Sequence, residues 1–144
     1  MKEDAKEAIN LPVKKDEFSQ KRRVGWAVTG VIILVIEIYI AIFIKGGFIR
    51  HYIGDVLATA MLYAFGRAIF RVAPINLAIF VFVISLFIEA LQYLKILEIL
   101  GVKSSILRII FGGTFDWADI IYYLVGCILA YMFENLSMQK SKAH

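Results

Sequence analysis

One cysteine, two histidines and charged residues at only 19% of 144 positions exclude much chemistry before any pattern is read. A lone cysteine rules out an intrachain disulfide, and Cys127, set in an apolar run, reads as a small buried side chain. No Cys/His spacing suits a metal, no glycine-rich loop suits a phosphate, and no Ser–His or Cys–His pairing suggests a nucleophile. No cofactor and no metal are expected. The net charge of +4 is not gathered into a basic stripe on a polar domain, so nucleic acid is not an expected partner. No soluble domain, internal repeat or low-complexity segment is evident.

What is present is apolar. Hydrophobic residues make up 60% of the chain and mean hydropathy is +0.75, above the roughly 45–50% apolar content of soluble domains. The pattern predicts an all-α integral membrane protein: a bundle of about four transmembrane helices, with a short interfacial helix before the last. The membrane domain is expected over residues 24–134, between a cytoplasmic tail at 1–23 and another at 135–144. The first 23 residues are too long and too charged for a signal-peptide n-region. They are expected to be disordered or loosely helical.

Spans are expected near 24–44, 52–70, 75–94 and 115–133. Thirteen of the residues in Val24–Ile44 are Val, Ile, Leu or Phe, each favouring insertion by roughly 0.3–0.6 kcal/mol near the helix centre. That sum offsets the ~2.5–3.5 kcal/mol cost of the one carboxylate, Glu37. Pro74 closes the connection before the third span. That helix is expected to run past Gln92, Lys95 and Glu98 to a glycine stop at Gly101, with Lys95 and Glu98 a solvated pair. Residues 104–111, apolar except for Arg108, are too short to span and suit the interface plane. Gly112-Gly113-Thr114 then turns the chain into the last span.

Lys and Arg set the orientation. With the N-terminus inside, the cytoplasmic side holds eleven: Lys2, Lys6, Lys14, Lys15, Lys21, Arg22, Arg23, Arg67, Arg71, Lys140 and Lys142. The other side holds five: Lys45, Arg50, Lys95, Lys103 and Arg108. The expected location is an inner (plasma) membrane, multi-pass, both termini in the cytoplasm. Arg67 and Arg71 read as topology charges.

Intramembrane ionisable residues are expensive, so each marks a candidate site. Counted at ~1.5 Å per residue, Glu37, Asp55, Glu89 and Asp119 fall at similar depth in the outer half of the bilayer. At ~100° per residue, Glu37 shares a face with Gly30 and Ala41, and Asp55 with Thr59 and Gly66. Glu89 shares one with Ala78, Ser85 and Gln92, and Asp119 with Tyr123, Gly126 and Ala130. These small-residue stripes pack against other helices, so the acids are expected to point inward. Five carboxylates together, counting Asp116, cannot all stay ionised without cations; Arg50, His51, Arg108 and Gln92 are the donors on that side. Plainer readings stand beside these. Asp116 and Asp119 could cap a helix and complement its dipole, Arg50 could snorkel, and the rest could form a structural polar network.

Taken together, Arg50, Gly54-Asp55, Glu89-x-x-Gln92, Arg108, Gly112-x-Thr114-Phe115-Asp116-x-x-Asp119 and Gly126 resemble the bacterial membrane family called domain of unknown function 2809. More distantly they are similar to VanZ-like membrane proteins. The resemblance covers roughly residues 48–131 and implies a small bacterial inner-membrane protein with no established activity. The VanZ likeness implies work on the outer face, near cell-wall precursors. The leading expectation is an outward-facing polar pocket for a lipid or lipid-linked cell-envelope precursor. Arg50, Asp55, Glu89, Gln92, Arg108, Asp116 and Asp119 would bind it, supported by Glu37, Thr114 and Tyr123. An intramembrane enzyme, with an ion held by Asp55, Asp116 and Asp119, and an ion- or proton-coupled transport subunit are the alternatives.

Overall fold

The computed structural model describes residues 2–44, 46–47, 49–95, 99–101, 103 and 116–142. Every regular element among them is helical: α1 (Lys2–Phe43), a π-helical turn (Ile49–Ile53), α2 (Gly54–Ile69), α3 (Pro74–Tyr93) and α4 (Trp117–Lys142). The expected interfacial segment 104–111 lies outside the described residues.

Among the described residues, three helical stretches are long and apolar enough to cross a membrane, Ser19–Phe43, Pro74–Tyr93 and Trp117–Lys140, where the sequence pattern predicts four. The exception is α2. Its 16 residues reach about 24 Å at ~1.5 Å per residue, short of a ~30 Å hydrocarbon core. This helix is also the one most enclosed by protein, packing against α1, α3 and α4. Its buried residues, Thr59, Tyr63, Ala64 and Gly66, are small or carry a polar tip, as suits a helix facing neighbours rather than lipid.

One helix ends earlier than expected, and two helices run on beyond the expected spans. The expected tail at 1–23 is helical and continuous with the first span, since α1 runs unbroken from Lys2 to Phe43. The third helix stops at Tyr93, well before Gly101, because Lys95 takes a left-handed backbone (φ 49°) that ends the turn. Gly101 is also left-handed (φ 64°). The last helix continues past 133 to Lys142.

The start of α3 follows familiar rules. Ala73 is extended and Pro74 occupies the first helical turn, where its missing N–H costs nothing. The last turn of α2 is closed by Arg23, whose Nε donates to the Ala68 carbonyl at 2.7 Å and whose Nη2 donates to the Ile69 carbonyl at 3.4 Å, while Arg67 Nη1 reaches the Val72 carbonyl of the following turn at 2.6 Å. A cation there satisfies orphan carbonyls and complements the helix dipole.

The core is narrow and lies on α2, α3 and α4: Tyr63, Leu77, Ala78, Val81, Cys127 and Ala130. Two glycines set the helix spacing. A Cβ at Gly126 would sit 2.7 Å from the Val56 carbonyl oxygen and 2.9 Å from Thr59 Cβ, so α4 packs on the α2 backbone itself. At Gly66 it would meet Leu77 Cδ1 at 2.8 Å. Large apolar side chains such as Val35, Ile79, Phe87 and Phe133 are exposed instead. A polar-lined interior with an apolar exterior is what a lipid solvent favours.

The packing alternates in direction. Arg22 and Arg23, at the start of the apolar stretch Ser19–Phe43 of α1, meet the C-terminal end of α2 and the C-terminal half of α4. At the opposite end, Glu89 in the last turns of α3 meets Tyr123 in the first turns of α4. Helices α2 and α4 thus run parallel, both antiparallel to α1 and α3. The bundle has an acid end and an arginine end.

Candidate functional site

The acid end gathers one carboxyl group from each helix. Asp55 (α2) lies beside Asp119 (α4), with Glu89 and Glu37 close to Asp55. Tyr123 donates its hydroxyl to Glu89 Oε2 at 2.8 Å. Glu89 is 2% exposed and Asp119 6%. Oε1 of Glu89 and Oε1 of Glu37 are buried without a hydrogen-bond partner among the described residues.

Each acid arrives by helical spacing. Asp55, Thr59, Tyr63 and Arg67 recur every fourth residue on α2, and Thr59 ties its hydroxyl to the Asp55 carbonyl at 2.8 Å. On α4 the facing stripe is Asp119, Tyr123, Gly126, Ala130 and Glu134. On α3, Glu89 lies one turn beyond Ser85, whose hydroxyl bonds to the Val81 carbonyl at 3.0 Å.

Beside the cluster opens a cavity of about 590 Å³, within the ~300–1,000 Å³ range of small-molecule sites. Its polar wall is Glu37, Asp55, Thr59, Ser85, Gln92 and Tyr123, and its apolar wall includes Leu34, Ile38, Leu62 and Ile88. All four helices contribute. No lysine or arginine is among the described lining residues.

The candidate residues of the sequence therefore separate into groups. Asp55, Glu89, Gln92, Asp119, Glu37 and Tyr123 come together at or behind this wall. Asp116 is exposed and accepts the Ala118 N–H at 3.0 Å, the geometry of a helix cap. Arg50 is exposed on the π-helical turn, one turn before Gly54 of the cavity wall. Arg108, Thr114 and the His51 side chain lie outside the described residues. Among the described residues no three His, Cys, Asp or Glu are grouped to hold an ion, so Asp55, Asp116 and Asp119 do not form a metal cluster.

The arginine end holds a second polar centre that sequence reasoning missed. Glu134 is 0% exposed. Its Oε1 receives Arg67 Nε at 2.7 Å and Arg67 Nη2 at 2.5 Å, with Arg22 Nη2 at 3.3 Å. Its Oε2 receives the Tyr63 hydroxyl at 2.5 Å. Arg67 is thus not merely a solvated topology charge. The signal was available: one more step along the Asp119–Ala130 stripe reaches Glu134.

No curated protein and no solved structure matches the chain. A family model does match, over residues 44–127, more than half of the chain. That span holds Asp55, Glu89, Asp119 and Tyr123 of the acid end, while Glu37 and Glu134 fall outside it. The chain therefore belongs to the family described as protein of unknown function, DUF2809.

Proposed function

We propose that this membrane protein binds an amphiphile in the acid-walled cavity, with the head group inside and the chain along the apolar wall. The observation that carries this is the lining: two carboxyls and four neutral polar groups on one side, aliphatic side chains on the other. Acceptor-rich walls select ligands that donate, so the head group is one with a primary ammonium or several hydroxyls. A lipid or a lipid-linked cell-envelope precursor belongs to that class. Arg50, exposed near the cavity wall, suits a phosphate of the same head group.

Four crossings with both termini in the cytoplasm fit this reading. The continuous helical stretch Ile49–Ile69 lengthens α2 to membrane scale, and the alternating directions put the arginine end on the side of the positive charge. The cavity then faces the outer leaflet of an inner membrane.

The test is native mass spectrometry of purified protein and its Ala58→Phe variant, which places a ring in the cavity. Co-purified lipid with an amine or polyol head group is expected on the wild type and reduced on the variant. Equal, unselective lipid on both would reject the reading.

One observation favours a second reading, proton movement. Acids and tyrosines stand at both ends of the α2–α4 seam, Asp55, Asp119 and Tyr123 at one and Tyr63 and Glu134 at the other, with Thr59 between them; the seam from Asp119 to Glu134 is about 22 Å at ~1.5 Å per residue, and intramembrane acids serve relays. Proteoliposomes carrying a pH dye would report it; absence of flux returns the choice to the binder.

A further inference from the structure

The cavity at the arginine end has no role in the reading above. It measures about 340 Å³ and is bounded by α1 and by the turn joining α2 to α3. Arg22 and Arg23 wall it from α1, Arg67 from α2 and Arg71 from the turn, with Ser19 and Trp26 between them. We infer that this four-arginine cavity is a binding site for a phosphate-bearing anion.

Charge accounting carries the argument. The orientation rule requires arginines on one side of the membrane, but not that four of them face one cavity. Glu134 neutralises one, leaving three positive charges uncompensated among the described neighbours. Arg67 and Arg23 are already anchored, on Glu134 and on the carbonyls of Ala68 and Ile69. They are held in fixed geometry with N–H groups to spare, since each guanidinium carries five donors. Arg71 is exposed and has no hydrogen bond or ion pair among the described residues. Two preset forks and one uncommitted fork match the oxygens of a phosphate, which arginine grips in bidentate fashion. Trp26 stands rigid beside them, edge-on to Tyr63 at 5.8 Å and to Phe133 at 6.0 Å.

The volume fits a head group rather than a whole lipid. The phosphate could come from an anionic phospholipid, because basic pockets between membrane helices bind such head groups, or from a free phosphate in solution.

In the chain carrying Trp117→Phe, which removes the exposed tryptophan of the acid end, Trp26 is the sole tryptophan and is excited selectively over the tyrosines. In one arm this chain is placed in phosphatidylcholine nanodiscs with and without phosphatidylglycerol. In the other it is titrated in detergent with inorganic phosphate against chloride at equal ionic strength. A saturable Trp26 response in either arm is expected, weakened roughly tenfold by Arg71→Ala and reduced by added salt. Response to phosphatidylglycerol alone assigns the lipid source; response to phosphate assigns a soluble anion. Arg71 is exposed, so its loss leaves the fold intact, and Arg71→Lys should restore only part of the affinity. No saturable response in both arms, or an Arg71→Ala affinity equal to wild type, would overturn the site.

Discussion

Removing either partner of the Arg67–Glu134 pair should destabilise the bundle more than removing both. Glu134 is fully buried and Arg67 14% exposed, so Arg67→Met leaves a carboxylate without its main cation. Breaking a buried pair on one side typically costs ~3–5 kcal/mol. Two groups soften that here: the Tyr63 hydroxyl stays on Oε2, and Arg22 stays 3.3 Å from Oε1. The lower end, about 3 kcal/mol, is therefore expected for Arg67→Met. Glu134→Leu strands a guanidinium that can still reach solvent and the Val72 carbonyl, so about 2 kcal/mol is expected. The double variant replaces a charged pair by apolar volume and should return to within about 1 kcal/mol of wild type. Arg22→Ala, at 37% exposure, should cost under ~1 kcal/mol. Equilibrium unfolding of the four proteins in mixed micelles measures this cycle. Additive losses in the double variant, or single variants within ~0.5 kcal/mol of wild type, would mean that Glu134 is bathed in water and the pair is not buried.

Three other outcomes follow from the geometry. Gly126→Ala forces a methyl group to 2.7 Å from a backbone oxygen that cannot rotate away. It should cost ~1–3 kcal/mol in the same unfolding assay, whereas Gly25→Ala, with open space around it, should not destabilise. Tyr123→Phe removes the hydroxyl on Glu89 Oε2 and should lower stability by ~1–3 kcal/mol, measured alongside Tyr122→Phe as a control. Single cysteines at Gly46 and Lys142 should react with an impermeant thiol reagent from opposite sides of the membrane; labelling from the same side would refute four crossings.

The acid end was legible because each acid sits on a stripe of small or polar residues at helical spacing, and such stripes pack inward in lipid. Asp55 with Thr59, Glu89 with Ser85, and Asp119 with Tyr123 are all in contact with the bundle interior for that reason. The arginine end was lost by one residue: ending the last span at Phe133 cut the stripe just before Glu134. Its partner Tyr63 sits between Thr59 and Arg67 on the same spacing, but an aromatic in an apolar run carries no mark of what its hydroxyl meets. The early stop of α3 was not legible either, since a left-handed Lys95 is a conformational choice that no glycine announces. The shortness of α2 was hidden because hydropathy does not register that Ile49–Ile53 winds as a π-helical turn. Asp116 carried two readings in the sequence, and its contact with the Ala118 N–H is the one that the cap reading expects.

The central claim is that the acid-walled cavity selects a donating head group, and competition among lipids tests it most directly. Wild type and a Glu37→Gln/Asp55→Asn variant are placed in nanodiscs containing equal phosphatidylethanolamine and phosphatidylcholine, and the lipids retained on release are counted by native mass spectrometry. Phosphatidylcholine keeps the same phosphate and glycerol but has no ammonium hydrogens to donate. The account predicts preferential retention of phosphatidylethanolamine by wild type and loss of that preference in the double variant, with both proteins equally folded. Equal retention of the two lipids by wild type, or a preference that survives loss of both carboxylates, would contradict it.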